Sequence, residues 1–266
     1  MLKESYQIIF VILKKLLRVG MLFLFFWEHC KEERFFQHPK EKIFMKSPVV
    51  DYRAFRLHKI NEPQFAHLKL LLSWIGFFIL FFLTENLIPA ENCHPVHMWL
   101  DDIIPFCEWF LIPYILWYVL IMISLGYFLL YNADSFKRLQ IYIIITQILA
   151  MACYIFYPTR QDLRPVEFVN DNYLTRCVSF LYALDTNTGV CPSLHVAYSI
   201  GIASVWTKEK TAYKLWHGFV IISAIMICLS TMFIKQHSAV DFFAAIPVRL
   251  IAECVVYRDR YFRKKQ

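Results

Sequence analysis

The chain has 266 residues, of which 58% are hydrophobic, 18% aromatic and 18% charged, with a formal net charge of +7. A soluble domain carries roughly 25% charged residues, and here the apolar residues gather in long runs, so the composition points to an integral membrane protein and away from a large soluble core. The basic residues border those runs, where they suit a membrane surface; nothing in their placement supports a nucleic-acid partner.

In chain order, residues 1–67 come first as a basic extension. Residues 8–27 are apolar but interrupted by Lys14, Lys15 and Arg18, which fall on one side of a helix. Two readings stand: an amphipathic helix lying in the membrane interface, or a further membrane-spanning segment. No small-residue cleavage site follows, so a removed signal peptide is not expected. Residues 31–59 are charged, contain Pro39 and Pro48, and read as a cytoplasmic linker.

Six apolar runs then follow, at 68–88, 109–131, 139–157, 194–206, 215–234 and 239–257. A bilayer span needs about 20 mostly apolar residues. The expectation is an all-α, integral membrane bundle of six transmembrane helices over 68–258, with a basic tail at 259–266. In the sixth run Arg249 and Glu253 are four apart and share a helix face, where they are expected to pair.

The connecting segments set the orientation. Lys40, Lys42, Lys46, Arg53, Arg56 and Lys59 precede the first span. Lys137 and Arg138 follow the second, Lys208, Lys210 and Lys214 follow the fourth, and Arg258, Arg260, Arg263, Lys264 and Lys265 end the chain. The loop after the first span has Glu91, Asp101, Asp102 and Glu108 and no Lys or Arg. By the positive-inside rule the basic side is cytoplasmic. The protein is therefore expected in the cell membrane, and the ends of the third to sixth runs share the extracytoplasmic face.

Of the 8 Cys, none forms a CxxC pair, so no zinc or iron–sulfur site is expected. Cys93 with Cys107, or Cys177 with Cys191, would form disulfides on an oxidising side. His94 and His97 lie in the acidic loop but lack a complete ligand set.

The chemistry gathers on the outer face. Pro192-Ser193-Leu194-His195 opens the fourth run, with Pro192 suited to a first helical turn. Free N–H groups from Ser193 and Leu194 onward would make an anion site, and Ser193 would add a hydroxyl. Ser193 also suits a plain helix cap. His237 and Asp241, four apart, share one face at the start of the sixth run. A carboxylate there would fix the imidazole tautomer and leave the other nitrogen as a nucleophile. Lys235, Arg160 and Arg164 lie on the same side and suit phosphate oxygens. Plainer roles are open to each: Arg164 pairing with Asp162 or Glu167, and Lys235 resting at the interface.

These residues resemble the motifs of the type 2 phosphatidic acid phosphatase superfamily, Lys-x6-Arg-Pro, Pro-Ser-Gly-His and Ser-Arg-x5-His-x3-Asp. The first survives as Arg164-Pro165, with Tyr157 at its Lys position. The second has Leu194 in place of the Gly, and the third has Thr231 in place of the Arg. The string DDIIPFCEWFLIPY, residues 101–114, is similar to a bacterial branch of that superfamily. The resemblance implies a lipid phosphate phosphatase working through a phosphohistidine, with no metal or other cofactor. His237 would attack phosphorus, Asp241 would orient it, and His195 would protonate the leaving group. Arg164, Ser193, Leu194 and a second cation, Lys235 or Arg160, would hold the phosphate. Two alternatives stay open: a headgroup phosphotransferase of the sphingomyelin-synthase type, and a non-catalytic membrane protein on the same fold.

Overall fold

The computed structural model describes residues 48–209 and 214–258. The expectations for residues 8–27 and for the tail from 259 lie outside the described residues. Eight α-helices follow in order among the described residues: α1 (Leu72–Leu87), α2 (Trp99–Ile103), α3 (Leu111–Tyr131), α4 (Ala133–Phe156), α5 (Tyr173–Leu184), α6 (Leu194–Lys208), α7 (Lys214–Phe233) and α8 (Ala239–Val256). Two-residue strands β1 (His94–Pro95) and β2 (Thr159–Arg160) pair in parallel. They tie the loop after α1 to the loop after α4.

Among the described residues four helices are long and apolar enough to cross a membrane: Ala66–Leu87, Glu108–Tyr131, Ala133–Phe156 and Lys214–Phe233. The other two expected spans are different in kind. α6 has 15 residues, and α8 carries Asp241, Arg249 and Glu253. α4 starts ahead of its apolar run because the Asn132 side chain accepts from the Ser135 N–H at 3.0 Å and caps the helix there. Lys137 and Arg138, expected in a loop, therefore lie within its first turns.

The core is built from α3, α4, α6, α7 and α8, with Leu120, Leu139, Ile143, Ile202 and Ile227 fully buried. α1 contributes no buried residue and packs at the edge against α4. Such an all-round apolar helix needs a lipid-like surrounding, since water around Ile75, Ile79 and Leu83 would forfeit the hydrophobic term.

Several polar groups inside this apolar body find partners, which offsets the cost of their desolvation. The Tyr142 hydroxyl donates to the Ala197 carbonyl at 3.0 Å, and Trp206 Nε1 donates to Ser124 Oγ at 2.9 Å. α4 and α6 approach closely at Gly201, where a Cβ would stand 2.2 Å from the Tyr142 ring. Glu253 takes Lys208 as its ion-pair partner at 2.5 Å, where the four-residue spacing had pointed to Arg249. The helical spacing brings Arg249 and Glu253 to one face, but packing of α6 on α8 decides which charge meets the carboxylate.

Residues ahead of α1 also dock on the body. Phe65 is fully buried, and the Tyr52 hydroxyl donates to the Leu129 carbonyl at 2.8 Å. The described cysteines are all free, so neither Cys93–Cys107 nor Cys177–Cys191 is bridged. Cys93 instead directs its thiol to the Pro89 carbonyl.

Candidate active site

The start of α6 and the start of α8 meet at one end of the bundle. The Ser193 N–H donates to the Asp241 carbonyl at 3.1 Å, which locks the two helix beginnings together. Helix α6 opens at Leu194, with Ser193 at the N-cap position and Pro192 just before it, two positions ahead of the first helical residue, where the proline was expected. The Pro192 carbonyl is held by the Tyr154 hydroxyl at 2.7 Å. Ser193 occupies the cap position without capping. Its side chain makes no cap hydrogen bond, and its Oγ is buried with no partner. The first N–H groups of α6, Leu194 among them, have no intrahelical acceptor. An unsatisfied hydroxyl beside such donors is what an anion would find useful.

His237 lies in the turn between α7 and α8. Gln236 and His237 both donate their N–H to the Thr231 carbonyl, at 2.9 and 3.0 Å. Lys235 adopts φ 52, the left-handed backbone that lets the chain reverse there. His237 Nδ1 stands 3.2 Å from Asp241 Oδ2, and that same oxygen accepts the Ser238 N–H at 3.0 Å. Asp241 is fully buried, and its Oδ1 has no hydrogen-bond partner. A buried carboxylate on Nδ1 keeps the proton there, so Nε2 carries the free lone pair.

That Nε2 faces His195 Nδ1 at 3.3 Å. The His195 ring packs at a tilt on Trp117, with centroids 4.1 Å apart, and stacks on Tyr114, at 4.7 Å. With Nε2 of His237 as acceptor, His195 holds its proton on Nδ1, aimed along the line between the rings. The Cys191 thiol borders the same group. Burial first, and then the Asp241 charge, pushes it up to about 12, so it stays protonated.

The three cations stand in different places. Arg164 closes over the turn: its terminal nitrogens donate to the carbonyls of Asp185 (3.0 Å) and Thr186 (2.8 Å) and to Gln236 Oε1 (2.7 Å). It thereby caps the C-terminal end of α5 and touches His237's neighbour. Its guanidinium stacks on Tyr182 at 4.6 Å, and its Nε is buried with no partner. Burial lowers this guanidinium from its ordinary value, against the pull of Asp185. Neither Asp162 nor Glu167 is its partner.

Lys235 and Arg160 turn elsewhere. Lys235 Nζ donates to the carbonyls of Asp101 at 2.8 Å and Ile104 at 2.5 Å, at the end of α2. Arg160 pairs with Asp162 at 3.0 Å and donates to the Ala90 carbonyl at 2.8 Å. The positive φ at Lys235 and the β1–β2 pairing that holds Arg160 set those directions, which residue type and position in the chain did not disclose.

Three contributors escaped sequence reasoning. Tyr114 and Trp117 looked like span residues, and Asp101 like an acid in a loop. Asp101 is buried, and its carboxylate accepts from Ser238 Oγ and the Ala239 N–H. A Trp and a Tyr three apart on one helix face were the available signal for aromatic packing on one partner. His97 meets Asp102, and His94 stacks on Tyr157. Among the described residues no group of three or more His, Cys, Asp or Glu is arranged to hold a metal ion.

Comparison with known proteins adds one relationship. A PA-phosphatase related-family protein of Dictyostelium discoideum is 40% identical to this chain over 74 residues, 27% of this chain and 12% of that relative. The relative is much the longer protein, and the match spans only a small part of its length. It is not a bacterial protein, so it lends no support to the bacterial branch suggested by residues 101–114. No family model and no solved structure matches the chain.

Proposed function

We propose that this chain is a multi-pass membrane enzyme of phosphoryl transfer, hydrolysing a lipid phosphate or pyrophosphate through a phosphohistidine. The reading places six helices across the bilayer and the histidines at the extracytoplasmic face. The single observation that carries it is the line Asp241 Oδ2, His237 Nδ1, His237 Nε2, His195 Nδ1. The relationship to a phosphatase-related protein agrees with it.

On this reading phosphorus enters between the two rings. His237 Nε2 forms the bond to phosphorus as the bond to the leaving oxygen breaks. For this step His195 takes up a second proton, on Nε2, as the phosphate enters; the imidazolium then gives its Nδ1 proton to that oxygen and becomes neutral, and Asp241 offsets the charge gained by His237. Water activated by the now neutral His195 then attacks the phosphohistidine and releases phosphate. Ser193 Oγ, the N–H groups from Leu194 on and Arg164 Nε receive the equatorial oxygens. Lys235 and Arg160 hold the walls of the site through the carbonyls they bind.

The test is phosphate release from a panel of lipid phosphates in detergent with EDTA present, wild type beside His237→Ala. The reading requires release by the wild type that survives EDTA, is blocked by vanadate and is lost in the variant. Release that persists in a folded His237→Ala protein sinks it.

The placement of the cations favours a second reading, headgroup transfer to a lipid alcohol. All three expected cations are bound to protein groups, and Arg164 alone keeps a buried nitrogen, Nε, without a partner. A phosphodiester, with a single negative charge, needs less neutralisation than a monoester. A labelled headgroup moving to an added lipid alcohol, with little free phosphate, would select this reading over hydrolysis.

A further inference from the structure

Asp101 is a buried carboxylate that the proposed chemistry does not use, and its bonds run to the segment that carries His237. Oδ1 accepts the Ala239 N–H at 2.7 Å, and Oδ2 accepts the Ser238 hydroxyl at 2.5 Å and the Met98 N–H at 2.8 Å. The side chain thus caps two helices at once. It closes the start of its own α2 and holds the first N–H of α8. In return Lys235 Nζ binds the Asp101 carbonyl at 2.8 Å. Lys235, two residues before His237, and Ser238, directly after it, are therefore tied to one short helix, by an ammonium on one side and a carboxylate on the other.

Ser238 is the pivot of this arrangement. It is fully buried, its N–H is held by Asp241, and its hydroxyl is held by Asp101. The same Oγ accepts the Val240 N–H at 3.1 Å. One carboxylate orients the imidazole and a second orients the peptide next to it. His237 keeps Nε2 on the line to His195 only while that peptide is fixed, since a displacement of about 1 Å in a reacting group costs on the order of 10²-fold in rate.

We propose that Asp101 is a positioning residue for the histidine pair, holding the turn that carries His237 through Ser238 and Ala239. The inference rests on the phosphoryl-transfer reading for its effect on rate, and on geometry alone for its effect on the imidazole.

The experiment uses the full chain in detergent, as wild type, Asp101→Ala and Asp101→Asn. Asp101→Asn keeps one oxygen for the Ala239 N–H and so serves as the conservative variant. Two measurements are made. One is kcat and KM for the best lipid substrate. The other is the imidazole proton and nitrogen spectrum of histidine-labelled protein, with His237→Ala to assign the signal. We expect kcat in Asp101→Ala to fall by roughly 10² at little changed KM, with partial recovery in Asp101→Asn. We also expect the His237 signal to lose the signature of its bond to Asp241.

An unchanged kcat in folded Asp101→Ala overturns the proposal, as does an equal loss in both variants that tracks their loss of thermal stability. If the wild type turns over no lipid phosphate, the functional reading fails by itself. The spectrum then still decides the geometry: a His237 signal altered in Asp101→Ala upholds the positioning role, and an unaltered one overturns it.

Discussion

His237 Nε2 and His195 Nδ1 stand 3.3 Å apart, in direct contact along the axis on which phosphorus would be displaced. A near-attack nucleophile needs roughly 3–3.5 Å to phosphorus, and the leaving oxygen needs its own hydrogen bond beyond it. On the phosphoryl-transfer reading the two rings part for substrate to enter. In the structure they are joined by one hydrogen bond. His195 packs on both Trp117 and Tyr114, with ring planes at 38° and 29°.

The division of labour between the histidines predicts a leaving-group effect. His195→Ala should slow release from an alkyl phosphate by about 10²–10⁴, the usual worth of a general acid. It should slow release from a nitrophenyl ester far less, because that leaving group departs without a proton. The ratio of kcat/KM for the two substrates is the measurement. An equal loss on both would remove His195 from the leaving side.

Asp241→Asn keeps the size of the side chain and removes the charge that faces His237 Nδ1. An amide there permits the tautomer with the proton on Nε2, which has no lone pair to offer. We expect a fall in kcat on the order of 10⁴ with a small change in unfolding temperature. Activity within tenfold of the wild type would show that the carboxylate does not set the tautomer.

Arg164→Lys is predicted to be disruptive. Lysine supplies one charged nitrogen where the guanidinium spans Asp185, Thr186 and Gln236. Hydrogen bonds from a charged donor contribute about 1.5–3 kcal/mol each. The variant should therefore lose both activity and thermal stability, and limited proteolysis should cut first near α5. A stable, inactive variant would instead give Arg164 a purely substrate-binding role.

Two stability predictions test the packing. Gly201→Ala forces a methyl into the Tyr142 ring and should cost about 1–3 kcal/mol. Combined with Tyr142→Ala it should cost less than the separate effects added together, since the clash is then relieved. Thermal unfolding of the four proteins in detergent decides it, and strict additivity would refute the contact.

Glu253→Leu leaves Lys208 facing an apolar partner in a half-closed site and should cost about 3–5 kcal/mol. Glu253→Leu with Lys208→Met should recover most of that loss. A double variant no more stable than the single one would mean that Glu253 is held mainly by other groups.

Much of the bundle was legible from residue type and spacing. A run of about 20 apolar residues has few folded solutions other than a helix, so α1, α3, α4 and α7 lie close to the runs at 68–88, 109–131, 139–157 and 215–234. The pairing of His237 with Asp241 was legible as a short distance along the chain, but not its setting: His237 stands in the turn ahead of α8 and not on the helix face that carries Asp241. Helix α5, the two strands and the turn at Lys235 were not, since each depends on partners far along the chain.

By itself the sequence determined the local terms: which segments must leave water, which polar residues stand near the starts of helices α6 and α8, and which carboxylate can reach an imidazole four residues away. These follow from hydrophobic runs and from helix geometry over one turn. Only the tertiary structure decided the rest. It set His195 against His237, turned Lys235 and Arg160 towards carbonyls, joined Glu253 to Lys208 and brought Asp101 to Ser238. Those are pairings between distant segments. A long side chain with several acceptors in reach takes its direction from how helices pack and turns close, and nothing in the order of residues states that in advance.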